Sequence, residues 1–333
     1  MVVNENEDNR PIELEIDDQK RVKIAEVITY LGDLFNKKGN NDDLIRDRVN
    51  KGIKAMISIS SIMEETDVGV HKVSVYLLLY QSLFLSTVLF NSCTWSKLRK
   101  KDIDALKSVQ LKFLKKVVGV AKSTCNAFTY LELGVLPIEQ EIHKRQLMFL
   151  HRIIQLEETD PVLKMFYNIV KFDAEGEKNW WTDVKASMDL YIGKDLNQIK
   201  TMSKEEFRIL VKKSVETVAF SNLVQECTAK KKTADLTYDK LETQEYLRTL
   251  YPNQARIMFK CRSKTLDIKT HSTYKYEDQI CRKCGVHDET LGHVINCKHT
   301  EEINLEYSGD FTSNMDQTVR CLKRIESFID EVK

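Results

Sequence analysis

The 333-residue chain predicts a mainly α-helical fold with a small N-terminal β-hairpin sheet and a Cys/His knuckle near the C-terminus. Three observations carry this. Four prolines and eleven glycines leave too little turn chemistry for an all-β sandwich, and far too little glycine for collagen. Apolar residues recur at helical spacing along most of the chain. Three cysteines and two histidines crowd into residues 281–297. The composition, 42% apolar and 30% charged, is that of a globular protein. Fifty-one basic against fifty acidic side chains give a net charge of +1, so bulk electrostatics point to no partner and only local clustering can.

Alternation over Ile12–Ile16 predicts a first strand, Val22–Val27 a second and Ile28–Phe35 a third, closed by the turn residues Gly39, Asn40 and Asn41. Asp42 and Asp43 then cap a helix whose apolar residues Ile45, Val49, Ile53, Met56 and Ile57 form a stripe. Val73–Phe90 approaches the minimum length of a membrane span. Ser74, Gln81, Ser82, Ser86 and Thr87 interrupt it, so a buried core helix is the better reading.

Further on, Ile103, Leu106, Val109, Phe113 and Val117 make one apolar stripe, with Lys100, Lys101, Lys107, Lys112, Lys115 and Lys116 on the broadly opposite side. Gly134 and Pro137 punctuate the start of the next helix, with its stripe Ile138, Ile142, Phe149, Ile153 and Leu156. Thr159-Asp160-Pro161 opens a helix through Val170, and an exposed loop precedes Trp180 and Trp181. Ser203 and Glu206 have capping-box spacing at the head of a helix reaching about Cys227. Lys230-Lys231-Lys232 reads as a linker. Domain boundaries are expected at 1–41, 42–158, 159–232 and 233–333.

The sharpest signal is Cys281-x2-Cys284-x8-His293-x3-Cys297. A Cys-x2-Cys turn brings two thiolates to one cation, and a later His and Cys complete a tetrahedron, so these four are the predicted ligands of a single Zn²⁺. Four protein ligands leave no open position, which predicts a structural ion and not a catalytic one. His287 and His299 lie within reach of the same loop and remain alternatives to His293. Residues 1–20 are acidic and lack an apolar signal segment, which predicts an intracellular, reducing setting, nuclear or cytoplasmic. The other cysteines, Cys93, Cys125, Cys227, Cys261 and Cys321, are expected as ordinary small buried side chains.

Between Cys93 and Lys122 nine basic residues (Lys97, Arg99, Lys100, Lys101, Lys107, Lys112, Lys115, Lys116 and Lys122) face only Asp102 and Asp104. Such a cationic face can follow a phosphate backbone; a merely solvated surface is the bland alternative. Arg256, Lys260, Arg262, Lys264 and Lys269 form a second patch. Phe259, Tyr274 and Tyr276 interleave with it, either as base-stacking rings or as core. No G-x-S-x-G, Walker, G-x-G-x-x-G or H-E-x-x-H motif occurs, and the acidic pairs Asp17-Asp18 and Asp42-Asp43 read as loop and cap. No catalytic residue is assigned.

Taken in order, several segments resemble the C-terminal part of the reverse transcriptases of non-LTR (LINE-type) retrotransposons. Tyr30-Leu31-Gly32 followed by DDLIRDRVNKGIKAM resembles the primer-grip hairpin and the start of the thumb. SLFLSTVLFNSCTW (Ser82–Trp95) and LGVLPIEQEIHKRQLMFLHRI (Leu133–Ile153) resemble the helices that follow. ARIMFKCRSKTLDIK leading into CRKCGVHDETLGHVINC resembles the C-terminal segment with its CCHC knuckle.

The resemblance implies primer-grip positions at Tyr30, Leu31 and Gly32. It places Lys97–Lys116 toward a template–product duplex, Arg256, Arg262 and Lys264 near RNA, and zinc on Cys281, Cys284, His293 and Cys297. The stretch before Tyr30 is too short for fingers and palm and holds no matching carboxylates. The expectation is therefore a truncated or domesticated remnant with no Mg²⁺ site and no polymerase activity of its own. It would bind RNA or an RNA–DNA hybrid, with DNA as a further partner, and no membrane. A helical protein-interaction module with a structural knuckle, and a fragment without function, are the alternatives.

Overall fold

The computed structural model describes residues 13–17, 20–23, 25–299 and 315–332. It is mainly helical, as the sparse turn chemistry predicts. Two antiparallel hairpins come first: β1 (Glu13–Asp17) pairs with β2 (Lys20–Lys23), and β3 (Val27–Tyr30) with β4 (Asp33–Asn36). Ile12 lies outside the described residues. The predicted second and third strands are thus redrawn, because Ile28–Phe35 is not one strand. It folds back at Leu31 and Gly32, whose φ values of 48° and 86° give the two left-handed residues of a primed two-residue turn.

The helices follow as α1 (Asp42–Glu65), α2 (Lys72–Leu79), a π-turn at Tyr80–Phe84, α3 (Leu85–Val88), α4 (Lys100–Val118), α5 (Asn126–Leu133), α6 (Ile138–Ile154) and α7 (Pro161–Ala174). Then come α8 (Trp180–Tyr191), α9 (Leu196–Lys200), α10 (Lys204–Thr228), α11 (Tyr246–Thr249), α12 (Pro252–Arg262), α13 (Leu291–Asn296) and α14 (Met315–Glu331). No helix among the described residues is long and apolar enough to cross a membrane. The interrupted run at 73–90 contributes buried side chains, Val73, Tyr76, Tyr80, Phe84, Leu85, Val88 and Leu89 among them.

The chain divides into two compact units of interleaved segments. The first comprises Met1–Ser60, Leu79–Gln110 and Leu136–Ala219; the second comprises Ser61–Leu78, Leu111–Val135 and Phe220–Lys333.

In the first unit, the β3–β4 hairpin is fixed to α1 by a buried ion pair between Arg48 and Asp33. Arg48 also donates to the Gly32 carbonyl (2.8 Å) and lies over the Phe90 ring. The stripe along α1 differs from the expected one in detail. Ile45 and Met56 are buried, but Ile57 is exposed and Ile59 takes the inward position, one helical turn beyond Met56. At Gly52 an added Cβ would lie 2.7 Å from Val88 Cγ2, so only glycine admits this approach. Gln110 is fully buried and satisfied. Its amide donates to Tyr80 Oη (2.6 Å) and to the Leu136 carbonyl (2.9 Å), while its oxygen accepts from Ile138 N (2.9 Å). That last bond caps α6, whose N-cap residue, Pro137, offers no side-chain acceptor. The helix opened by Asp160 runs to Ala174, beyond the expected Val170, with Asp160 capping Val162 N. The predicted Ser203/Glu206 box is present in both directions (2.8 and 3.3 Å).

In the second unit, Phe128 packs edge-on against Phe259 at 4.7 Å, settling Phe259 as core. Lys230–Lys232 is not a free linker. The Lys232 ammonium donates to the carbonyls of Lys264 (3.1 Å) and His271 (2.7 Å).

Candidate metal centre

The four predicted donors converge. One ligand atom from each of Cys281, Cys284, His293 and Cys297 lies within 4.8 Å of all the others, and Cys284 Sγ is 3.3 Å from His293 Nε2. No disulfide joins any of these cysteines. Three sulfurs and one imidazole nitrogen at such mutual distances are compatible with one tetrahedral metal ion. Cys281 and Cys297 are buried, Cys284 and His293 half-buried.

Local sequence builds this geometry. Gly285 adopts φ 66° and donates its N–H to the Cys281 carbonyl (2.9 Å), folding the Cys-x2-Cys turn with no Cβ in the way. The Lys283 N–H donates to Cys281 Sγ (3.4 Å). The backbone N–H groups of His287 and Val286 donate to Cys284 Sγ and hold its thiol below the ordinary value, favouring the ligating thiolate. Burial, aided by the His287 ring, holds His293 below the ordinary imidazole value, so it stands neutral with a lone pair to give. Thr290 caps α13 by accepting from His293 N (3.1 Å). That fixes His293 within the helix and Cys297 at its end, four residues on.

The choice among histidines follows from the same geometry. His287 serves the loop through its backbone, its carbonyl accepting from Cys281 N (2.7 Å), while its ring stays outside the donor group. His299 is exposed and also outside it.

Sequence reasoning missed the element behind the ligands. Glu289 is fully buried, and its carboxylate accepts from the Arg282 side chain (2.6 to 3.1 Å) and from the backbone N–H groups of Arg282 and Lys269 (both 3.0 Å). Arg282 also lies over the rings of Tyr276 and Phe328, and its Nη2 donates to the Asp267 carbonyl (2.7 Å). Arg324 of α14 donates to the Cys297 carbonyl (2.7 Å). The only hint in the sequence was an acidic residue and an arginine inside the ligand loop.

The basic residues divide. Lys97, Lys100, Lys112, Lys116 and Lys122 are exposed, and Lys107 is half-buried. Lys115 is a correction: it is buried, and its ammonium donates to the carbonyls of Lys122 and Thr124 (both 2.6 Å) and to Asn126 Oδ1 (2.7 Å). Helical periodicity put it on the outer face, but the chain after α4 folds back over it. Arg99 and Lys101 both pair with Asp42 (2.6 and 2.8 Å), and Arg99 also with Asp102.

Arg262 is a second correction. It is engaged by the fully buried Glu132 (3.0 Å), which also accepts from the hydroxyls of Tyr238 and Tyr246. Lys264 pairs with Asp235 (3.0 Å), Lys269 with Asp278 (2.6 Å), and Arg256 is half-buried beside Gly119. Lys260 is half-buried. Tyr274 is exposed, whereas Tyr276 donates to Asp267 (2.8 Å) beneath Arg282.

At the hairpin tip Tyr30 and Leu31 are exposed. Cys227, Cys261 and Cys321 are buried as expected, while Cys93 and Cys125 are only half-buried. Cys125 sits at the N-terminus of α5, where a hydrogen bond from Cys227 and the N–H groups of Phe128 and Ala127 pull its thiol below the ordinary value.

Compared with known protein families, with curated proteins and with solved structures, the chain matches none.

Proposed function

We propose that this chain binds nucleic acid, RNA or an RNA–DNA hybrid foremost and DNA as a further partner, around a fold held by one structural Zn²⁺. On this reading it is related to the C-terminal part of a non-LTR retrotransposon reverse transcriptase, intracellular, and without a polymerase centre in this chain. One observation carries the zinc: four soft and borderline donors converge, a full tetrahedral set that suits Zn²⁺ above oxygen-seeking Mg²⁺ or Ca²⁺. What supports the nucleic-acid reading is the set of exposed lysines Lys97, Lys100, Lys112, Lys116 and Lys122, whose ammonium groups have no carboxylate partner among the described residues. Tyr274, exposed beside the knuckle, offers a ring to a base. The exposed tip at Tyr30, Leu31 and Gly32 is the position the resemblance gives to a primer end.

The test is fluorescence anisotropy of the full, zinc-loaded chain with labelled single-stranded RNA and RNA–DNA hybrid, from about 50 to about 200 mM salt. Affinity should fall steeply across that range. A flat salt response, or no binding at the low end, overturns the reading. A helical protein-interaction module with a purely structural zinc is the second reading. It is favoured by the engagement of Arg99, Lys101, Arg262 and Lys264 with carboxylates of this chain.

A further inference from the structure

A cleft of about 770 Å³ opens in the first unit, and none of its lining residues is among those assigned above to metal or polynucleotide. Helix α6 supplies one wall. Lys144, Arg145, Phe149 and Arg152 lie at spacings that place them on one helical face. The turn after α3 and the start of α10 supply the others, with Ser92 and Lys204. Four cations line the cleft and no described lining residue carries a carboxylate, in a chain whose charges otherwise balance.

The cations are not equivalent. Lys144 is shared with Glu141 (2.8 Å). Arg145 is half-buried and donates from Nη1 to the Leu89 carbonyl (2.9 Å), which fixes its fork; its remaining N–H groups have no partner among the described residues. Arg152 and Lys204 are exposed and make no ion pair among the described residues.

A second, independent observation points to a ligand. Ser92 is 1% exposed, lines the cleft, and its hydroxyl has no hydrogen-bond partner. Buried hydroxyls are ordinarily paired, and the described residues supply this one with no partner. The remaining lining is largely apolar and includes Phe149.

These features select the occupant. A guanidinium with free N–H groups and two unpaired cations match phosphate oxygens. An inorganic phosphate would leave the apolar lining wet, and a neutral apolar molecule would leave the cations unmatched. A flat, largely apolar body bearing phosphate satisfies both, and the volume is that of a small-ligand pocket. We propose that this cleft binds a nucleoside phosphate, with the phosphate held by Arg145, Arg152 and Lys204 and the base beside Phe149. The proposal is independent of zinc and of the α4 lysines.

The experiment is isothermal titration of the full, zinc-loaded chain with adenosine 5′-diphosphate, adenosine and inorganic phosphate at low salt. Adenosine 5′-diphosphate should bind at least about tenfold more tightly than either fragment. The double variant Arg152→Gln/Lys204→Gln, altered only at exposed positions, should lose about tenfold for adenosine 5′-diphosphate while its adenosine binding and melting stay unchanged. Ser92→Ala should weaken the diphosphate severalfold. Competition with a 5′-phosphorylated dinucleotide distinguishes a free nucleotide from the end of a strand, and tighter binding of either supports the cleft. Equal affinity for the diphosphate and adenosine, or a double variant that binds like the parent, overturns the proposal whether or not long RNA binds elsewhere.

Discussion

Arg282 and Glu289 form an ion pair at 2.6 Å behind the candidate metal centre, with the Glu289 side chain fully buried and Arg282 located between the first two candidate cysteine ligands in sequence. The same carboxylate holds the backbone N–H of Lys269, so the loop that presents the sulfurs is tied to the segment before it. Removing one partner leaves an uncompensated buried charge, which costs on the order of 3 kcal/mol. Glu289→Ala should therefore lower the denaturant midpoint strongly and weaken zinc retention against a chelator, although residue 289 is not a ligand. Retention equal to the parent's would refute this.

Zinc itself should be part of the folding energy. Elemental analysis is expected to give one zinc per chain, and Cys281→Ser or chelation should lower the melting transition of the second unit by roughly 10 °C or more, since metal binding to a small module is folding free energy. An unchanged melt in metal-free protein would exclude a structural ion.

Two neighbouring lysines should behave oppositely. Lys115→Met removes the donor to two carbonyls and an amide oxygen and should cost about 2 kcal/mol of stability, read by urea unfolding, with RNA affinity unchanged wherever the variant is folded. Lys116→Met lies on the exposed side and should leave stability alone while lowering RNA affinity and the salt slope. Matching effects in both assays would contradict the assignment.

At the hairpin turn, Gly32 has φ 86° and an added Cβ would stand 2.9 Å from Phe90 Cε1. Gly32→Ala should destabilise by about 1–2 kcal/mol. Leu31 adopts φ 48°, a conformation costly to leucine, so Leu31→Gly should be neutral or slightly stabilising despite shortening the side chain. The thermal melt of Gly32→Ala should fall, while that of Leu31→Gly should hold or rise.

Acid should act through His271. Burial first, then the charges of Lys232 and Lys264, lower its pKa to about 4 from 6.5; Asp235 pairs with Lys264, and His271 Nδ1 is buried without a partner. As pH falls, the unfolded chain takes up the proton before the folded one. The stability contribution is therefore complete above about pH 6.5 and lost toward about pH 4, amounting to at most about 3 kcal/mol. His271→Gln should flatten that part of the pH–stability curve relative to the parent under identical zinc loading. Parallel curves would disprove the role.

Much of this was legible in the sequence because it is local. The Cys-x2-Cys turn, Gly285 in the left-handed region, the Ser203/Glu206 box and the stripe from Ile103 to Val117 each depend on neighbours within a few residues. Lys115 and Arg262 were misplaced because their partners come from tertiary folding: the turn at Lys122–Thr124 in one case, Glu132 in the other. The interleaving of the two units is likewise invisible to composition, which reads linkers and breakers only along the chain. Ile28–Phe35 reads as one strand because apolar and aromatic residues stand on both sides of Leu31 and Gly32, and only the positive φ values reveal the reversal.

Glu132 sets a constraint on biosynthesis. Its donors Tyr238, Tyr246 and Arg262 lie 106, 114 and 130 residues downstream. While the ribosome is still making α6 to α10, none of these three donors is there to pair with this carboxylate. Helix α5 therefore cannot settle into its final environment until the tail of the chain has emerged. Completing the second unit therefore includes the entropic cost of closing a very long loop.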